Sequence, residues 1–123
     1  ICIMSRRRSN TPLQALAQLN DLVVIESSRA LARRVLDEVP GALASRLHHA
    51  YRIVLTRPPS MSELTALIDF HQLQYHRVKE GSLDAAAIYG VSTKDQVDNL
   101  PSLAAMTTVA RLLFNLDETL TKE

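Results

Sequence analysis

Apolar residues recur at three- and four-residue intervals through most of the chain, the spacing that puts them on one helical face. Val24, Ile25, Ser28, Leu31, Ala32, Val35 and Leu36 form such a stripe, with Arg29, Arg33, Arg34 and Asp37 mainly off it, so a helix is predicted over residues 22–39. Pro40-Gly41 ends it. Leu43, Leu47, Ala50, Tyr51, Val54 and Leu55 predict a helix over 42–55, stopped by Thr56-Arg57-Pro58-Pro59. Ser60-Met61-Ser62-Glu63 fits a capping box, a serine at the cap and a glutamate three residues on. The helix it opens runs over 61–79, with Leu64, Leu67, Ile68, His71 and Tyr75 on one face, until Glu80-Gly81-Ser82 breaks it.

Upstream, Asn10 or Thr11 caps a helix whose first position suits Pro12, since the missing N–H would be unpaired there. Leu13, Leu16, Ala17 and Leu19 are its stripe, and Asn20-Asp21 offers a second cap. Between 83 and 100 the period is weakest: a short helix over 84–89, then a polar loop through Gly90 and Asp95. Pro101-Ser102 restarts the chain into a helix over 102–115, with Leu103, Met106, Val109, Ala110 and Leu113 inward and one more turn over 116–120. No strand signal of useful length interrupts this. The expectation is an all-α fold of five or six helices in an orthogonal or bundle-like array. Residues 1–9 read as an exposed arm or the end of an upstream domain, and 10–123 as a single helical domain with a variable loop region at about 81–101.

Composition narrows the function classes. At 123 residues the chain holds one domain at most. A net charge of +1 gives no strong pull toward nucleic acid or anionic lipid. The single cysteine, Cys2, permits no internal disulfide and no Cys-x-x-Cys-His haem attachment. No apolar run approaches the ~20 residues needed to span a bilayer. Beginning at Ile1 rather than methionine, the chain is expected to be a fragment or trimmed product, so a missing signal peptide does not place it in the cytoplasm.

Three segments carry a family resemblance. They are Arg8-Ser9-Asn10-Thr11-Pro12-Leu13-Gln14-Ala15-Leu16 with Leu19-Asn20-Asp21, then Leu55-Thr56-Arg57-Pro58-Pro59 before Glu63-Leu64, and Ala110-Arg111-Leu112-Leu113-Phe114-Asn115-Leu116-Asp117-Glu118. Across nearly its whole length the chain resembles the C-terminal part of domain-of-unknown-function family 1553, known from planctomycete proteins that also carry cytochrome c-like domains. The resemblance implies a periplasmic or otherwise exported parent whose upstream domains are this region's partners. It places no cofactor in this chain, while haem is possible in those upstream domains. Thr56 departs from the glycine or alanine of many relatives.

The polar residues of these motifs, Asn10, Gln14, Asn115 and Asp117, are the candidate ligand-binding set, provided that the two ends of the chain meet. Asn10, Asn20, Asn115 and Asp117 read as helix-end residues, so capping is the bland account. His48, His49, His71 and His76 lack the spacings of zinc or di-iron sites, and His71 reads as a hydrogen-bonded core-edge residue. No serine sits in a nucleophile elbow, Cys2 has no nearby histidine, and the capping box accounts for Glu63. No catalytic residue is assigned. Arg6-Arg7-Arg8 with Arg29, Arg33 and Arg34 could make a basic face for nucleic acid, which the balanced charge disfavours. The leading expectation is a helical interaction or scaffold module. The alternatives are a subdomain lending amides and carboxylates to a hydrolase-like or carbohydrate-binding site, and a small nucleic-acid binder.

Overall fold

The computed structural model describes residues 21–92 and 97–122, and all the regular structure in them is helical. The helix expected from Asn10 or Thr11 and the arginines at 6–8 lie outside the described residues. Among the described residues there are five helices: α1 over 21–38, α2 Leu43–Leu55, α3 Met61–Lys79, α4 Ala85–Tyr89 and α5 Leu100–Lys122.

α5 is the element on which the others pack. Leu103, Ala104, Ala105, Met106, Thr107, Val109, Ala110 and Leu113 are all buried, which encloses most of the helix girth from Leu103 to Ala110. A helix enclosed to this extent lies inside its fold. Against it pack α2, α3 and α4, while Leu31, Ala32 and Val35 of α1 join Met106, Val109, Ala110 and Leu113 in one core with Leu47, Ala50, Tyr51 and Leu67. The hydroxyl of Thr107 is satisfied within the helix, donating to the Leu103 carbonyl at 2.6 Å. Ser28, fully buried on α1, likewise donates to the Val24 carbonyl at 2.6 Å. α5 begins at Leu100, two residues before the expected Ser102. Asn99 at φ +59° turns the chain into it, and Pro101 is accommodated in the first turn, where its missing N–H is not needed. It also runs unbroken to Lys122, so the extra turn expected over 116–120 is part of the same helix.

The α2–α3 joint is held by one carboxylate. Glu63 accepts from the Ser60 N–H at 2.8 Å and the Tyr51 hydroxyl at 2.6 Å, and takes a two-pronged pair from Arg57 at 3.0 and 2.9 Å. Ser60 Oγ in turn accepts from the Glu63 N–H at 3.2 Å, completing the box. The Arg57 guanidinium, then the Ser60 N–H and the Tyr51 hydroxyl, hold the Glu63 carboxyl far below the usual carboxylate range. The predicted capping box is therefore present, and it is also the anchor for a buried tyrosine and an arginine stacked 5.1 Å over that tyrosine's ring.

α4 is stapled from across the fold. Asp84 Oδ1 caps its start, accepting from the Ala86 and Ala87 N–H groups at 3.1 and 3.3 Å. Arg29 of α1 closes its end, donating to the Ile88 and Ala87 carbonyls at 3.0 and 3.1 Å, while Arg33 donates to the Tyr89 hydroxyl at 3.2 Å. Gly90 makes this possible. It sits at φ +86°, and a Cβ there would lie 2.6 Å from the Arg29 guanidinium.

Thr56 ends α2 in the left-handed region at φ +59°, ψ +21°. That conformation costs a non-glycine residue roughly 1–2 kcal/mol, and β-branching worsens it. Thr56→Gly is therefore expected to raise the stability of the chain by about 1 kcal/mol in urea unfolding, after the extra unfolded-state entropy of glycine is set against the relieved strain.

Candidate binding cleft

A cleft of about 630 Å³ opens where the end of α1, the start of α2, the C-terminal half of α3 and the start of α5 converge. That volume lies within the range of small-molecule and side-chain pockets. Leu36, Leu43 and Met106 give it apolar walls, and Tyr75, Arg46 and Lys79 edge it. Gly41 stands where the chain turns from α1 into α2, at φ +107°, and adds no side chain to the opening.

His71 is the buried polar member of the lining, only 8% exposed. Its ring stacks on Tyr75 at 6.2 Å between centroids, and Lys79 Nζ lies 5.9 Å from the Tyr75 ring on the other turn. His71 Nδ1 is shut off from solvent without a hydrogen-bond partner. The expectation of a hydrogen-bonded, core-edge histidine is thus corrected: the residue is buried, and this nitrogen is unpaired. An orphaned N–H is costlier than an orphaned lone pair, so the neutral ring is best served with its proton on Nε2. Burial, and then the nearby Arg46 charge, push the His71 pKa down from its ordinary value. Arg46 itself is fixed by donating from Nε to the Val39 carbonyl at 2.7 Å.

The sequence-chosen site residues do not gather here. Asn10 and Gln14 lie outside the described residues. Asn115 and Asp117 stand inside α5 rather than at its end, so their reading as helix-end caps is corrected; Asn115 is exposed and its carbonyl accepts from the Thr119 hydroxyl at 2.9 Å. His49 pairs with Glu38 at 2.9 Å, and His76 with Glu80 at 3.2 Å. Among the described residues no three His, Cys, Asp or Glu side chains are grouped to hold a metal ion. None of the described helices is long and apolar enough to cross a membrane. Of the arginines of the supposed basic face, the three among the described residues are engaged within the fold: Arg29 and Arg33 hold α4, and Arg34 bonds Glu38 at 2.9 Å. Sequence reasoning placed Tyr75 and His71 on one face of α3 but missed the cleft, because its walls come from four helices far apart in the chain. Arg46, in the middle of an otherwise apolar helical stripe, was the one local signal.

Geometry thus defines an all-helical protein with an apolar, cation-edged surface cleft. Residues 1–71, more than half of the chain, match the family PSD1, proteins of unknown function (DUF1553), and the chain belongs to that family. No curated protein and no solved structure matches it.

The cleft makes stability depend on pH with a defined sign. An unfolded histidine takes up its proton near pH 6.5, whereas folded His71 resists it. Its contribution is therefore complete above pH 6.5 and is lost as pH falls through the depressed folded value. The Arg46 guanidinium, facing His71 from α2, acts in the same direction as burial. Urea midpoints are expected to fall between about pH 7 and pH 5, and His71→Phe is expected to flatten that part of the profile.

Proposed function

We propose that this chain is a helical interaction module of a larger exported bacterial polypeptide of planctomycete type, and that its cleft receives an apolar side chain from the part of the assembly packed against it. The partners in this reading are upstream domains of the same polypeptide, a haem-bearing cytochrome c-like domain among them. Membership of a family of unknown function fits an uncharacterised module. The observation that carries the reading is the cleft itself, a water-accessible space walled by Leu36, Leu43 and Met106. Exposed apolar side chains elsewhere fit the same account: Met61 is 81% exposed and Leu73 54%. Single exposed apolar residues are ordinary, so the cleft rather than these residues is the argument.

The test is a titration of the ¹⁵N-labelled 123-residue chain with the uncharged capped peptide acetyl-Gln-Leu-Phe-Gln-amide. Saturable shifts at the amides of Leu36, Leu43 and Met106, with weak affinity on the order of millimolar, are expected. Shifts confined to other faces, or none, would remove the cleft as the contact site.

A further inference from the structure

The electrostatics of the cleft go further than its apolar walls and, given the reading above, name the kind of segment it takes. The formally charged side chains that line it have one sign. Arg46 and Lys79 line it, and among the described lining residues there is no Asp or Glu. Glu80, next in sequence to Lys79, is held by His76 at 3.2 Å and by the Ser82 hydroxyl at 2.8 Å.

Two helix N-termini add to this. α2 starts at Leu43 in the cleft wall, and its cap, Ala42, offers no side-chain acceptor; the first turn holds no acidic residue. The first-turn N–H groups therefore have no capping side chain, although Ala42 at φ −67°, ψ +138° already has capping geometry. α5 brings Ser102 of its first turn into the lining, and that turn too lacks an acidic residue. Each helix N-terminus carries a partial positive charge that favours an anion. The opposing negative end, the C-terminus of α3, is covered by its own His76, Arg77 and Lys79. His71, whose proton uptake is opposed by burial and Arg46, adds no charge to the cleft floor at neutral pH.

We infer that the cleft accepts a protein segment in which an apolar anchor is flanked by carboxylates. The anchor packs between Leu36, Leu43 and Met106. One carboxylate meets Arg46 and the uncapped start of α2, and another meets Lys79. The missing cap at Ala42 is then an acceptor supplied by the partner.

The test compares acetyl-Glu-Leu-Phe-Glu-amide with its uncharged Gln counterpart on the full chain. The acidic peptide is expected to bind about fivefold tighter at low salt, since two partly exposed ion pairs are each worth little, and to lose that advantage at high salt. Lys79→Gln, a change at an exposed side chain, should remove part of the advantage. Ala42→Asp places a capping carboxylate on α2, which favours folding, and should abolish most of it. Equal binding of the two peptides, or an acidic advantage unchanged in both variants, would overturn the inference while leaving the cleft reading intact. Failure of both peptides to bind would overturn the two together.

Discussion

The enclosure of α5 is the constraint on which the rest of the structure depends. From Leu103 onward its next two turns are largely enclosed, with Met106, Val109, Ala110 and Leu113 in the main core and Leu103, Ala104, Ala105 and Thr107 buried around the remaining faces. Small side chains at 104, 105 and 110 let neighbouring backbones approach, while the larger ones fill the space between them. Burying the apolar surface of such a helix is the dominant stabilising term in a chain with one core. The polar joints then set where each neighbour lies. Glu63 fixes the angle between α2 and α3 through Tyr51, Arg57 and Ser60, and Arg29 fixes α4 against α1.

The cleft follows from that arrangement. α2 and α5 both begin at the same end of the molecule, and the tail of α1 and the far half of α3 pass beside them. Their side chains do not fill the gap, and Gly41 leaves its mouth open. A buried histidine with an unpaired nitrogen, two cations and two helix starts without acidic residues thus share one site. Interior polar groups are ordinarily paired, so a concentration of unmet polar demand beside an apolar wall is what a contact surface looks like before its partner is seated.

Much of the fold was legible because local rules and tertiary packing agree. Ser60 and Glu63 announced α3 in the sequence, Asp84 and Gly90 bracket α4, and the stripe of α1 is the face it buries. Where reading failed, the reason is physical. Ala104, Ala105 and Thr107 carry almost no hydrophobic signal, so the central place of α5 was invisible and it read as one more amphipathic helix. Asn115 and Asp117 look like caps, yet no glycine or proline follows them and the helix continues to Lys122. His71 was placed on the correct face of α3, but its unpaired Nδ1 depends on neighbours the sequence does not bring near. The cleft joins Leu36 to Met106, and Arg29 reaches Ile88; such long-range pairings leave no mark on local spacing.

Native-state amide hydrogen exchange of the full chain tests the central place of α5 most directly. If α5 is the hub, amides at Met106, Val109, Ala110 and Leu113 exchange only through global unfolding, with free energies matching the urea value, and the amides of α4 open at lower cost. Exchange of the α5 amides faster than those of α2 and α3 would contradict the account, because the α2–α3 pair would then be a core that stands without it.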